Sequence, residues 1–155
     1  SMAYESAIVR DFNLTLEFDP TVEDYQEQPF KIETLIDGKK RNYFPDCLIN
    51  YRPEANRRPL LVEVKSEREL QDKEKRKKLE TKLAVFREFA DENDMDFKLV
   101  TDRELREKYN LDGLKFIYNF RNEPPHLDKF KPVVLRVLKS NPLKISDLLK
   151  ELSLG

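Results

Sequence analysis

Residues 66–94 read SERELQDKEKRKKLETKLAVFREFADEND, too long and too charged for a strand, and lie between two short runs, LLVEVK and MDFKLVT, that read as strands. Ser66 with Glu69 three residues on is a capping box. Leu70, Leu79, Leu83, Phe86 and Ala90 then form the apolar stripe of a long, half-exposed helix. A helix framed in this way by strands commits the chain to an α/β architecture. Upstream, YESAIVRDFNLTLEF (4–18) sets Ile8, Val9, Phe12 and Leu16 at helical spacing and stops at Asp19-Pro20. From Phe30 to Ile36, and again from Asn42 to Tyr51, β-branched and aromatic residues alternate with polar ones around the Asp-Gly turn of DGKK. A third strand follows over 60–65 and a fourth over MDFKLVT, after which Thr101 with Glu104 repeats the capping signature. The predicted order is helix, three strands, helix, strand, helix.

At 155 residues the chain is the length of one ordinary domain with a small appendage. Pro124-Pro125 marks the boundary, giving a main domain over 3–123 and a short helical segment over 124–155. Two short helices, roughly 127–139 and 145–152, resemble the start of a winged-helix unit. The chain stops at Gly155, where a recognition helix would begin, so DNA reading by this segment is not expected. Ser1-Met2 reads as an addition ahead of a native start.

Charged residues make up 38% of the chain, yet 29 Lys+Arg against 30 Asp+Glu leave a net charge of −1, so total charge does not mark a nucleic-acid binder. Where the cations cluster matters more than their sum. The single cysteine, Cys47, cannot form an internal disulfide, and no apolar run is long enough for a leader or a membrane span. A cytoplasmic protein with no membrane partner is the expectation. Cys47 itself reads as core, and His126, the only histidine, as a surface residue. Three glycines and no Cys-x-x-Cys pair argue against a nucleotide cradle or a thiolate metal site.

Glu63 and Lys65 stand two apart on a strand and so project to one face, a carboxylate beside a cation. Asp46, after Pro45 in YFPDCLI, is able to meet Glu63 if its strand lies alongside. Two carboxylates on rigid elements with a neighbouring cation are what metal-assisted phosphodiester hydrolysis needs. Ordinary readings stand beside this one. LLVEVKS also suits a half-buried strand with its polar face in water, and Asp46 an acid at a strand edge or bulge, where proline is tolerated. Asp96-Phe97-Lys98 repeats the acid-x-Lys triplet on a strand but has no Pro-Asp before it. Glu5, in the first turn of the first helix, suits the helix dipole or a third metal-site carboxylate. Lys73, Lys75, Arg76, Lys77 and Lys78 form a basic run, but Glu69, Asp72, Glu74 and Glu80 interleave with it, which favours a solvated face with i,i+4 pairs over a phosphate track.

The ordered set of elements with Pro45-Asp46 and Glu63-Val64-Lys65 resembles the PD-(D/E)XK nuclease superfamily. More narrowly, YESAIVRDFNLTLEFDPTVEDYQEQPFKIE, YFPDCLI, LLVEVKS and FKLVTDREL in that order resemble the N-terminal catalytic domain of the TnsA-type endonuclease subunits of heteromeric transposases. The resemblance implies a restriction-endonuclease-like mixed sheet of order αβββαβ flanked by helices. It also implies a Mg²⁺-dependent endonuclease, with Mn²⁺ able to substitute, that cuts the 5′ strand of double-stranded DNA at transposon ends. A DDE transposase subunit and an ATPase regulator would be its partners. Residue by residue, Glu5 matches the first-helix glutamate, Asp46 the central metal ligand, Glu63 the second ligand, Val64 a carbonyl ligand and Lys65 the catalytic lysine. Gln28 matches a position with no chemistry assigned. About thirty residues follow the Pro-Pro boundary where such proteins carry a full second domain. A restriction-like or phage nuclease, or a non-catalytic DNA- or protein-binding assembly module of the same fold, is the alternative.

Overall fold

Residues 2–119 are described by a computed structural model. They divide into two units, residues 2–9 with 21–102 and residues 10–20 with 103–119. Helix α1 (Met2–Glu17) contributes its first turns to one and its remainder to the other. The first unit continues with β1 (Val22–Glu27), β2 (Ile32–Ile36), β3 (Lys39–Tyr43), β4 (Cys47–Tyr51), a 3₁₀ turn at Pro53–Ala55, β5 (Leu60–Lys65), α2 (Glu67–Gln71), α3 (Lys73–Glu92) and β6 (Asp96–Thr101). A mixed α/β fold was expected from the sequence and is what the chain adopts.

Strands β1, β4, β5 and β6 form one sheet in that order, antiparallel except for the parallel β5–β6 pair that α3 connects. Interior position explains why Leu61, Val62, Glu63 and Val64 are all buried: both faces of β5 are covered. The expectation of a polar face in water therefore fails for Glu63. Hairpin β2–β3 turns at Asp37-Gly38, as the DGKK signal predicted, with Gly38 at φ 75°. It forms a separate two-stranded sheet.

Three element boundaries differ from the sequence reading. The strand expected over Asn42–Tyr51 is two strands interrupted at Phe44-Pro45-Asp46, because Pro45 has no N–H to continue a ladder and the halves pair with different partners. Strand β1, VEDYQE, went unpredicted: four of its six residues are exposed, so pairing to β4 rather than an apolar face makes it a strand. The single helix expected from Ser66 is broken at Asp72, whose carboxylate accepts from the N–H of Glu74 at 3.0 Å and of Lys75 at 3.1 Å and caps α3. Ser66 caps α2 as read, its hydroxyl accepting from Glu69 N–H at 3.2 Å. Along α3 the predicted residues Leu79, Leu83, Phe86 and Ala90 are the buried ones. Phe86 packs with Ile32 and Leu61, and Tyr43, Phe89 and Phe97 close around them.

The second unit holds the rest of α1, most of α4 (Asp102–Lys108) and α5 (Leu111–Tyr118). Phe18, Leu114 and Ile117 make its core, with Leu14 and Tyr109 against them. Helix α4 begins directly after Thr101, as its capping signature predicted. Asn110, whose side chain accepts from Gly113 N–H at 3.0 Å, caps an α5 not anticipated from the sequence. The Pro-Pro boundary, the 124–155 helix pair and His126 lie outside the described residues. Among those described, no helix is long and apolar enough to cross a membrane.

Candidate active site

The interruption that ends β3 is what positions Asp46. Buried Pro45 sets the bend, and backbone bonds hold the next residue on both sides. Asp46 N–H donates to the Val62 carbonyl at 3.1 Å, and its own carbonyl accepts from Gln28 N–H at 3.0 Å. The Asp46 carboxylate then accepts from Val64 N–H at 2.7 Å. Gln28, matched to a family position without a role, thus serves Asp46 through its backbone, at φ 43° just after β1. Strand β4 is interior, so the reading of Asp46 as an edge acid does not hold; the residue stands at the strand's entrance.

Glu63 is 0% exposed. Its carboxyl group meets the Lys82 ammonium through Oε2 and the Asp46 carboxyl beside it. Burial, and after it the neighbouring Asp46 carboxylate, push Glu63 up to about 8, with Lys82 pulling the other way. Such a carboxylate is costly unless a cation compensates it. The site therefore has a buried corner in which the Glu63 and Asp46 carboxyls face each other beside the Lys82 ammonium.

Lys82 was not singled out from the sequence. Helix α3 runs back along β5, and four helical residues advance about 6 Å while two strand residues advance roughly 6.6 Å. Phe86 against Leu61 therefore puts Lys82 against Glu63, one step along both elements. The available signal was a lysine at 82 within the stripe 79, 83, 86, 90, a cation where the pattern asks for core.

Lys65 lies beyond Glu63 on the same face, with its ammonium 3.9 Å from Glu69. Glu5, in the first turn of α1, shares this neighbourhood. The hydrogen bond between the Glu5 and Glu69 carboxyls holds Glu5 below and Glu69 above the ordinary carboxylate range, and Lys65 favours the charged form of both. Tyr4 anchors that turn by donating to Asp102 at 2.6 Å, and the same carboxylate accepts from Glu67 N–H at 2.8 Å at the start of α2. The sequence-predicted residues Glu5, Asp46, Glu63 and Lys65 are thus brought into one neighbourhood. Glu69 and Lys82 join them.

The decoy triplet goes elsewhere. Asp96 is half exposed, faces Leu60 in the β5–β6 register and pairs with Arg58 at 2.6 Å. Cys47 is fully buried, and burial pushes its thiol up to about 12, as suits a core residue.

Among the described residues no group of three or more His, Cys, Asp or Glu is placed to hold a metal ion. The metal-type donors that the structure brings together around Glu63 are its own carboxyl and that of Asp46, to which the family resemblance adds the Val64 carbonyl. That set fits Mg²⁺, a hard cation that keeps several waters and takes one or two carboxylates together with substrate phosphate. Two carboxyls forced together in a buried corner, Glu63 against Asp46 with Glu63 raised as a result, are the observation that favours the fit.

A cleft of about 700 Å³ opens beside Lys65 and Glu69. Its walls are Arg41 and Tyr43 on β3 and Lys75, Lys78 and Lys82 on α3.

A model of the TnsA-like endonuclease N-terminal family matches residues 19–102, more than half of the chain. No curated protein matches it.

Proposed function

Because the chain belongs to the TnsA-like endonuclease N-terminal family, we propose that it is a metal-dependent DNA endonuclease that cuts the 5′ strand at transposon ends as one subunit of a heteromeric transposase. The observation that carries this reading is the fully buried carboxyl of Glu63, set against Asp46 and met by the Lys82 ammonium.

Asp46, Glu63 and the Val64 carbonyl would hold Mg²⁺, which when bound would supply Lewis-acid polarisation of the scissile phosphate and a lowered pKa for the attacking water. Asp46 is kept in position by its three backbone hydrogen bonds, which make its carboxylate a rigid ligand. Lys65 orients the water and offsets charge that grows on the phosphate oxygens. Glu5 and Glu69 confine the Lys65 ammonium from the other side. Lys82 neutralises Glu63 from α3. A DDE transposase that makes the 3′ cuts and an ATPase regulator complete the assembly in this reading.

Calorimetric titration with Mn²⁺ and nicking of supercoiled plasmid test it together. Wild-type chain binds Mn²⁺ and nicks. Asp46→Ala and Glu63→Ala each lose at least about 100-fold in nicking rate, the scale expected when a group stabilising the transition state is removed, and bind the metal detectably more weakly. Activity that survives both substitutions, or an intact chain that binds no Mn²⁺, would remove the assignment.

A further inference from the structure

The basic run on α3 read as a solvated face when taken as a block. In the structure it has two sides. Lys75, Lys78 and Lys82 recur at spacings of three and four and face the cleft, whereas Lys73, Arg76 and Lys77 project from the opposite side of the helix. On the far side Arg76 is paired with Glu80 at 3.3 Å. Within the cleft, Lys82 is engaged by Glu63 and Lys65 lies beside Glu69, whose charged form Lys75 also favours at longer range, while Lys75, Lys78 and Arg41 make no ion pair with any described residue. Arg41 comes from β3, so the surplus positive charge lines two facing walls, one helical and one from the hairpin.

We propose that this cleft between α3 and hairpin β2–β3 is a track for the sugar-phosphate backbone of the DNA strand being cut, with Lys75 and Lys78 on one wall and Arg41 on the other. The inference rests on the nuclease reading and adds to it the route by which the strand reaches Lys65. Several features fit a phosphate backbone better than a small ligand. The lining cations come from two separate elements, α3 and β3, and long lysine side chains follow a flexible polyanion as point charges. Lys65 is itself one of the lining residues, which places the track next to the proposed chemistry. Whole-chain charge near neutrality does not oppose this, because contacts to phosphates depend on local cations and release counterions one by one.

The test compares two matched pairs of exposed helical lysines. Binding of the full chain to a fluorescent 30-base-pair duplex is followed by anisotropy across a salt series, with Ca²⁺ in place of Mg²⁺. Lys75→Ala with Lys78→Ala is expected to reduce the slope of log K against log salt by about two, at roughly 0.9 per lost contact, and to weaken binding at least about tenfold near 0.1 M salt. Arg41→Ala lowers the slope by about one. Lys73→Ala with Lys77→Ala removes the same charge from the opposite face and changes affinity less than about twofold, because exposed charges a Debye length away are screened. Unaltered far-UV circular dichroism and thermal midpoint establish that each variant is folded. Equal losses from both pairs would overturn the track in favour of bulk attraction, and no loss from either pair would overturn it too. In both cases continued nicking by wild type leaves the nuclease reading standing. A wild-type chain that neither binds duplex at low salt nor nicks it overturns the two together.

Discussion

Glu63 shows how much one carboxylate depends on what surrounds it. Its ordinary value of 4.5 rises to about 8 through burial foremost and then through Asp46. A raised carboxylate means that the folded chain keeps a proton the unfolded chain releases. The associated stability is fully present below about 4.5 and is lost as pH climbs through about 8. Chemical denaturation of the metal-free protein from about pH 5 to 9 should therefore show wild type losing stability relative to Glu63→Gln across that window. A constant difference between the two curves would contradict the placement of Glu63. At this scale Asp46, Glu63 and Lys65 were legible because their relation is local: two lie two apart on one strand, and the third follows a proline at the entrance to the strand before it. Lys82 and Glu69 were not, since a charge on an amphipathic helix looks the same whether it meets water or a buried acid.

Elements position the site more than they adorn it. Asp102, the first residue of α4, holds Tyr4 of α1 and the N–H of Glu67 at α2 with a single buried carboxylate, and so ties down the turn that carries Glu5. Tyr4→Phe removes the 2.6 Å hydrogen bond to that charged acceptor, and urea denaturation should report a loss of about 1–2 kcal/mol. An unchanged midpoint would mean that the turn is held by other means. The capping residue Ser66 and the stripe of α3 were readable because local hydrogen bonding and periodicity write them into the chain. Strand β1 was not: VEDYQE has the composition of a loop, and only the exposed ladder of β4 makes it a strand.

Across the first unit as a whole, Phe86 stands where the main sheet, the hairpin and α3 meet. It is fully buried, packs with Leu61 of β5 and Ile32 of β2, and sets its ring edge-on to Tyr43 at 6.2 Å. Truncation to alanine is expected to cost about 3–5 kcal/mol, the range for a large aromatic removed from a packed core. Denaturant midpoint measures that cost. The same variant should weaken duplex binding, because it removes the packing that sets α3 against the hairpin wall of the cleft. Loss of stability with full DNA affinity retained would separate the core from the track.

From its residues alone the chain determined an α/β class, a hairpin at Asp37-Gly38, the strand at 60–65, the buried stripe of α3, and the three residues Asp46, Glu63 and Lys65 on adjoining segments. Each is written in short-range terms: a two-residue or 3.6-residue period, a turn dipeptide, or a proline that cannot donate a hydrogen bond. Tertiary structure decided what periods do not encode. Pairing to different sheets split the strand at Pro45, burial on both faces of β5 raised Glu63, and the matched advance of helix and strand delivered Lys82 to it. The basic run shows the same division: its charge is plain in the sequence, but which lysines face a cleft follows from the rotation of α3 against the sheet.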